Sequence, residues 1–182
     1  MLRKVLSVVA LASVTAVAAN AQTTTATNTS SVRPFTIGIK AGASIPVGDL
    51  SDVAKTGFIV GGQLGFKPAM LPVWLRADVD YNNMSAKGTG AGHLNVWGFT
   101  GNVGYDLPVS GAIKPYGIAG LGAFRSSASN GGGSSTDFGF QVGGGVKMPL
   151  SGFNTFIEAR YTRVSTDNGS SQFVPVYFGV SL

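Results

Sequence analysis

Residues 137–148 read DFGFQVGGGVKM, and apolar or small side chains alternate with polar or small ones along this stretch. One set of alternate positions holds Phe138, Phe140, Val142, Gly144, Val146 and Met148, and the other holds Asp137, Gly139, Gln141, Gly143, Gly145 and Lys147. A period of two residues is that of a β-strand with two different faces, whereas a helix would scatter both sets around its axis. The stretch therefore predicts a strand with one apolar face.

The same alternation extends in both directions and predicts eight strands, at about residues 34–47, 57–68, 73–84, 93–107, 113–126, 136–149, 153–166 and 172–182. Short connections containing Pro or Gly (67–72, 107–111, 148–152) alternate with longer polar ones (46–56, 83–92, 126–135, 166–171). An even number of long strands with alternating short turns and longer loops is typical of barrels that cross a bilayer. The sequence therefore predicts an all-β fold: an eight-stranded antiparallel up-and-down transmembrane β-barrel over residues 34–182.

Composition agrees with this prediction. The chain has 182 residues with 27 Gly, only 12% charged residues, one His and no Cys. Its mean hydropathy is +0.26, yet beyond residue 21 no apolar run reaches the ~18 residues that a spanning helix needs. The absence of Cys excludes disulfides and thiolate chemistry, and the acidic residues are dispersed around a single His93. We therefore expect no metal site and no cofactor.

The N-terminal segment has the pattern of a secretory leader. Arg3 and Lys4 precede an apolar stretch over residues 5–18, and Ala19-Asn20-Ala21 is a small-residue cleavage pattern. We expect residues 1–21 to be a signal peptide and residues 22–33 to be a flexible N-terminal segment. Loss of the leader removes two positive charges from the net +5, and no Lys/Arg cluster remains to bind nucleic acid.

Alternation also assigns side chains to two faces. The expected outward face contains Phe35, Ile37, Ile39, Phe58, Val60, Leu64, Phe66, Trp97, Phe99, Tyr105, Tyr116, Phe124 and Tyr161. The expected lumen charge network consists of Lys40, Lys67, Arg76, Asp78, Asp80, Asp106, Asp137, Lys147, Glu158 and Arg160. Because an eight-stranded barrel is just wide enough for its own side chains and unpaired buried charges are costly, we expect these charges to pair. The fifth strand has no clear phase, since Ile118 and Leu121 fall on opposite faces.

Such a network is either a structural plug of salt bridges or an ion pathway, and the narrow lumen favours the plug. The expected pairs are Arg76 with Asp78 or Asp80, and Glu158 with Arg160.

Residues 34–182 resemble the small eight-stranded bacterial outer-membrane barrels of the OmpX/OmpA-transmembrane-domain type, a porin-family group. The resemblance rests on the leader, the eight alternating segments, and the stretches AGLG (119–122), FQVGGGV (140–146) and VYFGVSL (176–182). The ending is similar to the signal that the barrel-assembly machinery recognises, although Leu182 stands where the family usually has Phe. The resemblance implies a bacterial outer-membrane location, contact with outer-membrane lipid and lipopolysaccharide, and roles in envelope integrity, adhesion, minor conductance or lipid modification.

The leading hypothesis is a monomeric, non-enzymatic outer-membrane protein with a structural or surface-interaction role, whose external ligand the sequence does not identify. A small pore is the first alternative. A membrane-embedded lipid-modifying enzyme is less favoured, because His93, Ser85 and Thr89 do not assemble a nucleophile, a base and an acid. A soluble lipocalin-like carrier is disfavoured by the alternating loop lengths and by the aromatic residues near strand ends.

Overall fold

The computed structural model describes residues 34–87, 92–129, 133–166 and 169–182. Its elements are β1 (Phe35–Val47), α1 (Leu50–Val53), β2 (Gly57–Phe66), β3 (Val73–Ser85), β4 (His93–Asp106), β5 (Lys114–Ala128), β6 (Ser134–Leu150), β7 (Phe153–Thr166) and β8 (Gly169–Ser181). Each strand pairs antiparallel with its neighbour in sequence, and β1 pairs with β8 to close the barrel. The predicted fold class is confirmed. None of the helices in these residues has the length and apolar character needed to cross a membrane.

Closure of the barrel pairs the first strand with the last over most of its length. The register runs from Gly38 opposite Ser181 to Val47 opposite Gln172. Beyond this register, the Ile37 amide donates to the Leu182 carbonyl at 3.1 Å, and the Leu182 amide donates to the Ile37 carbonyl at 2.8 Å. With every strand paired on both sides, the barrel presents no sheet edge, as a hydrocarbon environment requires.

The barrel has two distinct ends. We call the end that carries connections 67–72, 107–113 and 151–152 the turn end; β1 starts and β8 finishes there. The opposite end, with connections 48–56, 86–92, 129–133 and 167–168, is the loop end. The predicted loop 166–171 is shorter than expected, because Ser165 pairs with Ser170 and Thr166 with Gly169. Connection length therefore distinguishes the two ends less sharply than the sequence suggested.

Apolar side chains cover the outside of the barrel, as on Ile39 (68% exposed) and Phe138 (77% exposed). The prediction was wrong for Tyr116 and Phe124, which are buried inside the lumen. On β5, Ile118 also points inward while Leu121 lies outside, which establishes the phase of this strand. Apolar residues face inward on β5 because the lumen contains two apolar layers that they complete, one at each side of a polar middle.

Candidate functional site in the barrel lumen

The middle of the lumen holds a cluster of six buried charged side chains, which we call the central network. Its members are Lys40, Arg76, Asp78, Asp80, Glu158 and Arg160. They come from β1, β3 and β7, and the strict alternation of each strand turns them to the inside. All six were among the ten residues predicted to line the lumen.

Asp78 lies at the centre of this network. Its carboxylate is 3.0 Å from the Lys40 Nζ, 3.0 Å from the Arg76 Nε and 2.7 Å from the Arg160 Nη2. The Asn102 amide also donates to it at 3.1 Å. The side chains of Asp78, Lys40 and Arg160 have no exposed surface. Three cations thus form ion pairs with one carboxylate that water does not reach.

Glu158 is the second acceptor of the network. Arg76 donates to both of its carboxylate oxygens from Nη2, at 2.8 and 2.9 Å. Arg160 donates through Nε at 2.6 Å, and the Tyr116 hydroxyl donates at 2.7 Å. Glu158 has no exposed surface. Charged groups removed from water need this degree of hydrogen bonding to offset their desolvation.

Asp80 is the third anion of the central network and accepts a hydrogen bond from the Lys40 Nζ at 3.1 Å, so three cations face three anions. The network is therefore neutral as a whole. The Tyr177 ring covers it, with the Lys40 Nζ 4.4 Å and the Arg160 Cζ 5.1 Å from the ring centroid. Gln141 extends the polar layer by donating to Asn102 at 2.5 Å. Neither Tyr177 nor Gln141 is among the site residues predicted from the sequence, in which the only signal for them is their inward phase.

The remaining predicted residues lie elsewhere. Lys67 and Lys147 both pair with Asp106 at the turn end, at 3.1 and 2.8 Å. The Trp74 indole also donates to Asp106 at 2.9 Å. Asp137 belongs to neither group; it accepts from Ser135 at 2.7 Å and forms no ion pair with any residue the structure describes. The ten residues therefore form two groups and one separate carboxylate rather than one network.

An apolar layer closes the lumen at the loop end. We call it the apolar plug; its buried members are Leu50, Ala54, Met84, Val96, Phe124, Val164 and Phe173. The short helix α1 supplies Leu50 and is tied to the barrel by two backbone hydrogen bonds, from Lys55 to Ser85 and from Lys87 to Val53, both 2.7 Å. The sequence predicts a polar loop for this connection and not the helix, because four residues are too few to show periodicity.

Almost no space remains between the central network and the apolar plug. The cavity there has a volume of about 10 Å³ and is bordered by Asn82, Phe124 and Tyr177. A water molecule needs about 10–15 Å³. Two consecutive layers, one charged and one apolar, therefore close the lumen along the part of the chain that the structure describes.

His93 stands at the start of β4, at the loop end, and is exposed. Its backbone amide donates to the Ser129 hydroxyl at 2.8 Å, and Ser85 lies opposite it in the register. Its imidazole makes no hydrogen bond to another described residue. A nucleophile and its base must lie within hydrogen-bond reach, with a third group orienting the base. The described residues around His93 do not form this arrangement.

The described residues also do not bring together three His, Cys, Asp or Glu side chains, as a metal site would.

An apolar outer surface around a closed eight-stranded barrel, with its charges paired inside, defines an integral outer-membrane β-barrel. The family model described as "Outer membrane protein beta-barrel domain" matches residues 8–181, and the chain belongs to this family. Comparison with curated proteins gives no significant match.

Solved structures with a similar fold include Neisserial surface protein A, with a TM-score of 0.63, 20% identity, and coverage of 82% of this chain and 96% of that one. The attachment invasion locus protein Ail of Yersinia pestis has a TM-score of 0.51 and 15% identity, covering 81% of this chain and 97% of that one. The outer membrane enzyme PagL has a TM-score of 0.48 and 18% identity, covering 80% and 97%. At these identities the first two establish a shared fold and nothing further.

Proposed function

We propose that the protein is a non-conducting outer-membrane barrel with a structural or surface-interaction role. The observation that supports this proposal is the double closure of the lumen, first by the neutral central network and then by the apolar plug. Ions crossing the lumen would have to break salt bridges and then enter an apolar layer, and both steps are costly.

Planar bilayer recordings test the absence of a pore. The purified protein, folded in detergent and verified by heat-modifiable electrophoretic mobility, is expected to give no reproducible conductance steps. Regular steps of uniform size would overturn the proposal in favour of the small pore. Cell fractionation tests the location independently: the protein is expected with the outer membrane, and recovery as a soluble periplasmic monomer would contradict it.

We infer a non-enzymatic role from the surroundings of His93, the single His of the chain and the kind of side chain that most often acts as general base. Its imidazole has no hydrogen-bonded partner among the described residues to act as nucleophile or orienting acid. Overexpression is therefore expected to leave the mass profile of lipid A unchanged. Loss or gain of an acyl chain that disappears in His93→Ala would establish an enzyme instead.

Export through a cleaved leader is part of the proposal. Residues 1–21 carry the basic start, apolar centre and Ala19-Asn20-Ala21 pattern of a signal peptide. Intact-mass measurement of the protein recovered from outer membranes is expected to place its first residue at Gln22. We further propose that β8, whose sequence ends in alternating aromatic and apolar residues, is the segment that the barrel-assembly machinery engages.

Lipopolysaccharide is the proposed lipid partner of a monomeric barrel. Arg125 and Arg163 support this, because both lie on the outer surface near the loop end and are exposed. In the orientation typical of bacterial barrels the loop end faces outward from the cell. The two guanidinium groups would therefore lie at the level where lipopolysaccharide carries its phosphates, and Arg binds phosphate in bidentate fashion.

A further inference from the structure

The turn end of the lumen holds a cavity that neither the central network nor the apolar plug fills. Its volume is about 250 Å³, and we call it the turn-end cavity. Trp74, Tyr116 and Phe156 form its walls, and Arg76 of the central network lies at its inner end. In the orientation that bacterial barrels share, this cavity faces the periplasm.

The cavity contains more positive than negative charge. Three lysines line it, Lys67, Lys114 and Lys147, and Asp106 is the only acidic residue among the described side chains at this end. Asp106 already accepts from Lys67, Lys147 and the Trp74 indole. The central network directly behind it is balanced, so the two excess positive charges belong to the cavity alone.

Lys114 and Lys147 face each other directly across β5 and β6. Like charges at directly opposite positions destabilise a sheet. Lys114 makes no ion pair with any residue in the described ranges. Asp106 already balances the charge of Lys147, so the charge that an anion between the two lysines would balance is that of Lys114.

One cationic group of the cavity, the Lys147 ammonium, is also held in place. The Lys147 ammonium lies 4.2 Å from the Trp74 ring centroid and 4.6 Å from that of Tyr116, and these two rings pack edge to face at 5.5 Å. Tyr116 is in turn bonded to Glu158. Convergent polar groups on aromatic walls are the usual features of a small-molecule site, and groups positioned in advance bind with less loss of conformational freedom.

We propose that the turn-end cavity is a binding site for a small dianion, either a phosphate or a dicarboxylate. The charge of the ligand follows from the excess of two positive charges, since three lysines line the cavity with one carboxylate. The size follows from the volume, which is below the ~300–1,000 Å³ of sites for drug-sized ligands. The proposal is independent of whether the lumen conducts, because an anion can enter from the turn end without crossing the central network.

Tryptophan fluorescence tests this site directly, because the chain has two Trp residues and Trp97 lies on the outer surface. In W97F, Trp74 is the only tryptophan, and it forms a wall of the cavity. Titration of the folded, micelle-held protein with succinate or inorganic phosphate is expected to change its emission saturably, with weaker binding of the monoanion acetate. Sodium chloride at matched ionic strength corrects for screening.

Two variants separate a specific site from general attraction of anions. K67Q/K114Q removes the two more exposed of the three lysines that line the cavity. It is expected to weaken dianion binding at least about tenfold, as loss of charged partners does. K87Q removes a lysine at the opposite end of the barrel, where Lys87 bonds to Ser51, and is expected to bind like the parent.

Emission that never saturates, or equal affinity in K67Q/K114Q and K87Q, would overturn the proposal. If W97F does not fold, isothermal calorimetry with succinate on the unaltered protein gives the same comparison. Heat release that does not saturate, or that K67Q/K114Q leaves unchanged, would overturn the proposal in that format too.

Discussion

Asp78 has more ionic partners than any other residue of the central network. Lys40, Arg76 and Arg160 all pair with its carboxylate, and none of the four is appreciably exposed. A buried ion pair is not by itself a large source of stability, since desolvation offsets its attraction. Removing Asp78 is different, because Lys40, Arg76 and Arg160 would then share only Asp80 and Glu158, without water to solvate the third positive charge. The stability of the lumen therefore depends strongly on this one acid.

Asp78→Asn is expected to lower the free energy of unfolding by about 3–5 kcal/mol, the usual cost of breaking a buried pair from one side. The substitution keeps the size of the side chain but leaves the network with three cations and two anions. Urea unfolding in detergent micelles measures the change. D137N is the matched control, because among the described residues Asp137 accepts only from Ser135, and it is expected to stay within about 0.5 kcal/mol of the parent. Equal effects of the two variants would contradict the central role of Asp78.

At the scale of the strand, several inward glycines provide the space that aromatic rings occupy. A Cβ placed on Gly104 would lie 2.0 Å from the Trp74 ring, and one on Gly179 would lie 2.2 Å from the Phe156 ring. Glycines facing outward are different: a Cβ on Gly101 would meet nothing within 4 Å. The inward glycines thus explain how an eight-stranded lumen holds large rings as well as charged side chains.

Gly104→Ala is expected to destabilise the barrel by about 1–3 kcal/mol, because the added methyl group overpacks the lumen. Trp74 cannot shift freely, since it bonds to Asp106 and packs on Tyr116. Gly101→Ala, three residues away on the same strand, is expected to be neutral or to stabilise by up to about 1 kcal/mol. Unfolding midpoints of the two variants check this, and a loss of stability in G101A as large as in G104A would show that the strand itself requires glycine.

Most of the strands were predictable because each has one consistently apolar face. The ends of β7 agree with the prediction, whereas β8 begins at Gly169 rather than 172. On β5 the rule failed, because Tyr116 and Phe124 are apolar and yet face inward. Alternation shows that two faces differ but not which one faces lipid, and β5 is apolar on both.

The two pairs expected from the sequence, Arg76 with Asp78 and Arg160 with Glu158, are both formed. The partners across the lumen were less predictable. Arg76 donates to Glu158, a residue 82 positions later in the chain. Their contact depends on how β3 and β7 are aligned across the lumen, and the register between strands is not contained in the periodicity of either one. The pairing of Arg160 with Asp78 has the same origin.

The proposed contact with lipopolysaccharide can be tested at the two outward arginines, Arg125 on β5 and Arg163 on β7. Arg125→Gln with Arg163→Gln is expected to weaken association with lipopolysaccharide by about 2 kcal/mol, or ~30-fold, at about 1 kcal/mol per basic residue near an anionic surface. Phosphate analysis of lipopolysaccharide that co-purifies with the protein measures the loss. R125K/R163K retains both charges but not the bidentate geometry, and is expected to bind more weakly than the parent and more tightly than the glutamine variant. Unchanged binding in the glutamine variant would exclude these residues as the contact.

At the scale of the whole molecule, the arrangement of charge differs from one end of the lumen to the other. The apolar plug at the loop end contains no charged member, the central network is neutral, and the turn-end cavity has an excess of lysines. A barrel open at one end and closed at the other cannot pass ions, but it can admit a solute from the open side. Closure and access are therefore separate properties of the same lumen.

The two closures lie in series, so opening either one alone is expected to leave the barrel non-conducting. Glu158→Ala with Arg160→Ala removes one anion and one cation together with most of their side-chain volume, which makes room for water in the charged layer. Lys40, Arg76, Asp78 and Asp80 stay balanced and the apolar plug remains. Phe124→Ala with Phe173→Ala removes the two rings that pack at 6.4 Å in the plug, while the network remains. Planar bilayer recordings on each double variant, folded as judged by heat-modifiable mobility, are expected to show no steps. The variant that combines all four substitutions is expected to conduct, because water can then fill both layers. Conductance in either double variant alone would mean that a single layer closes the barrel.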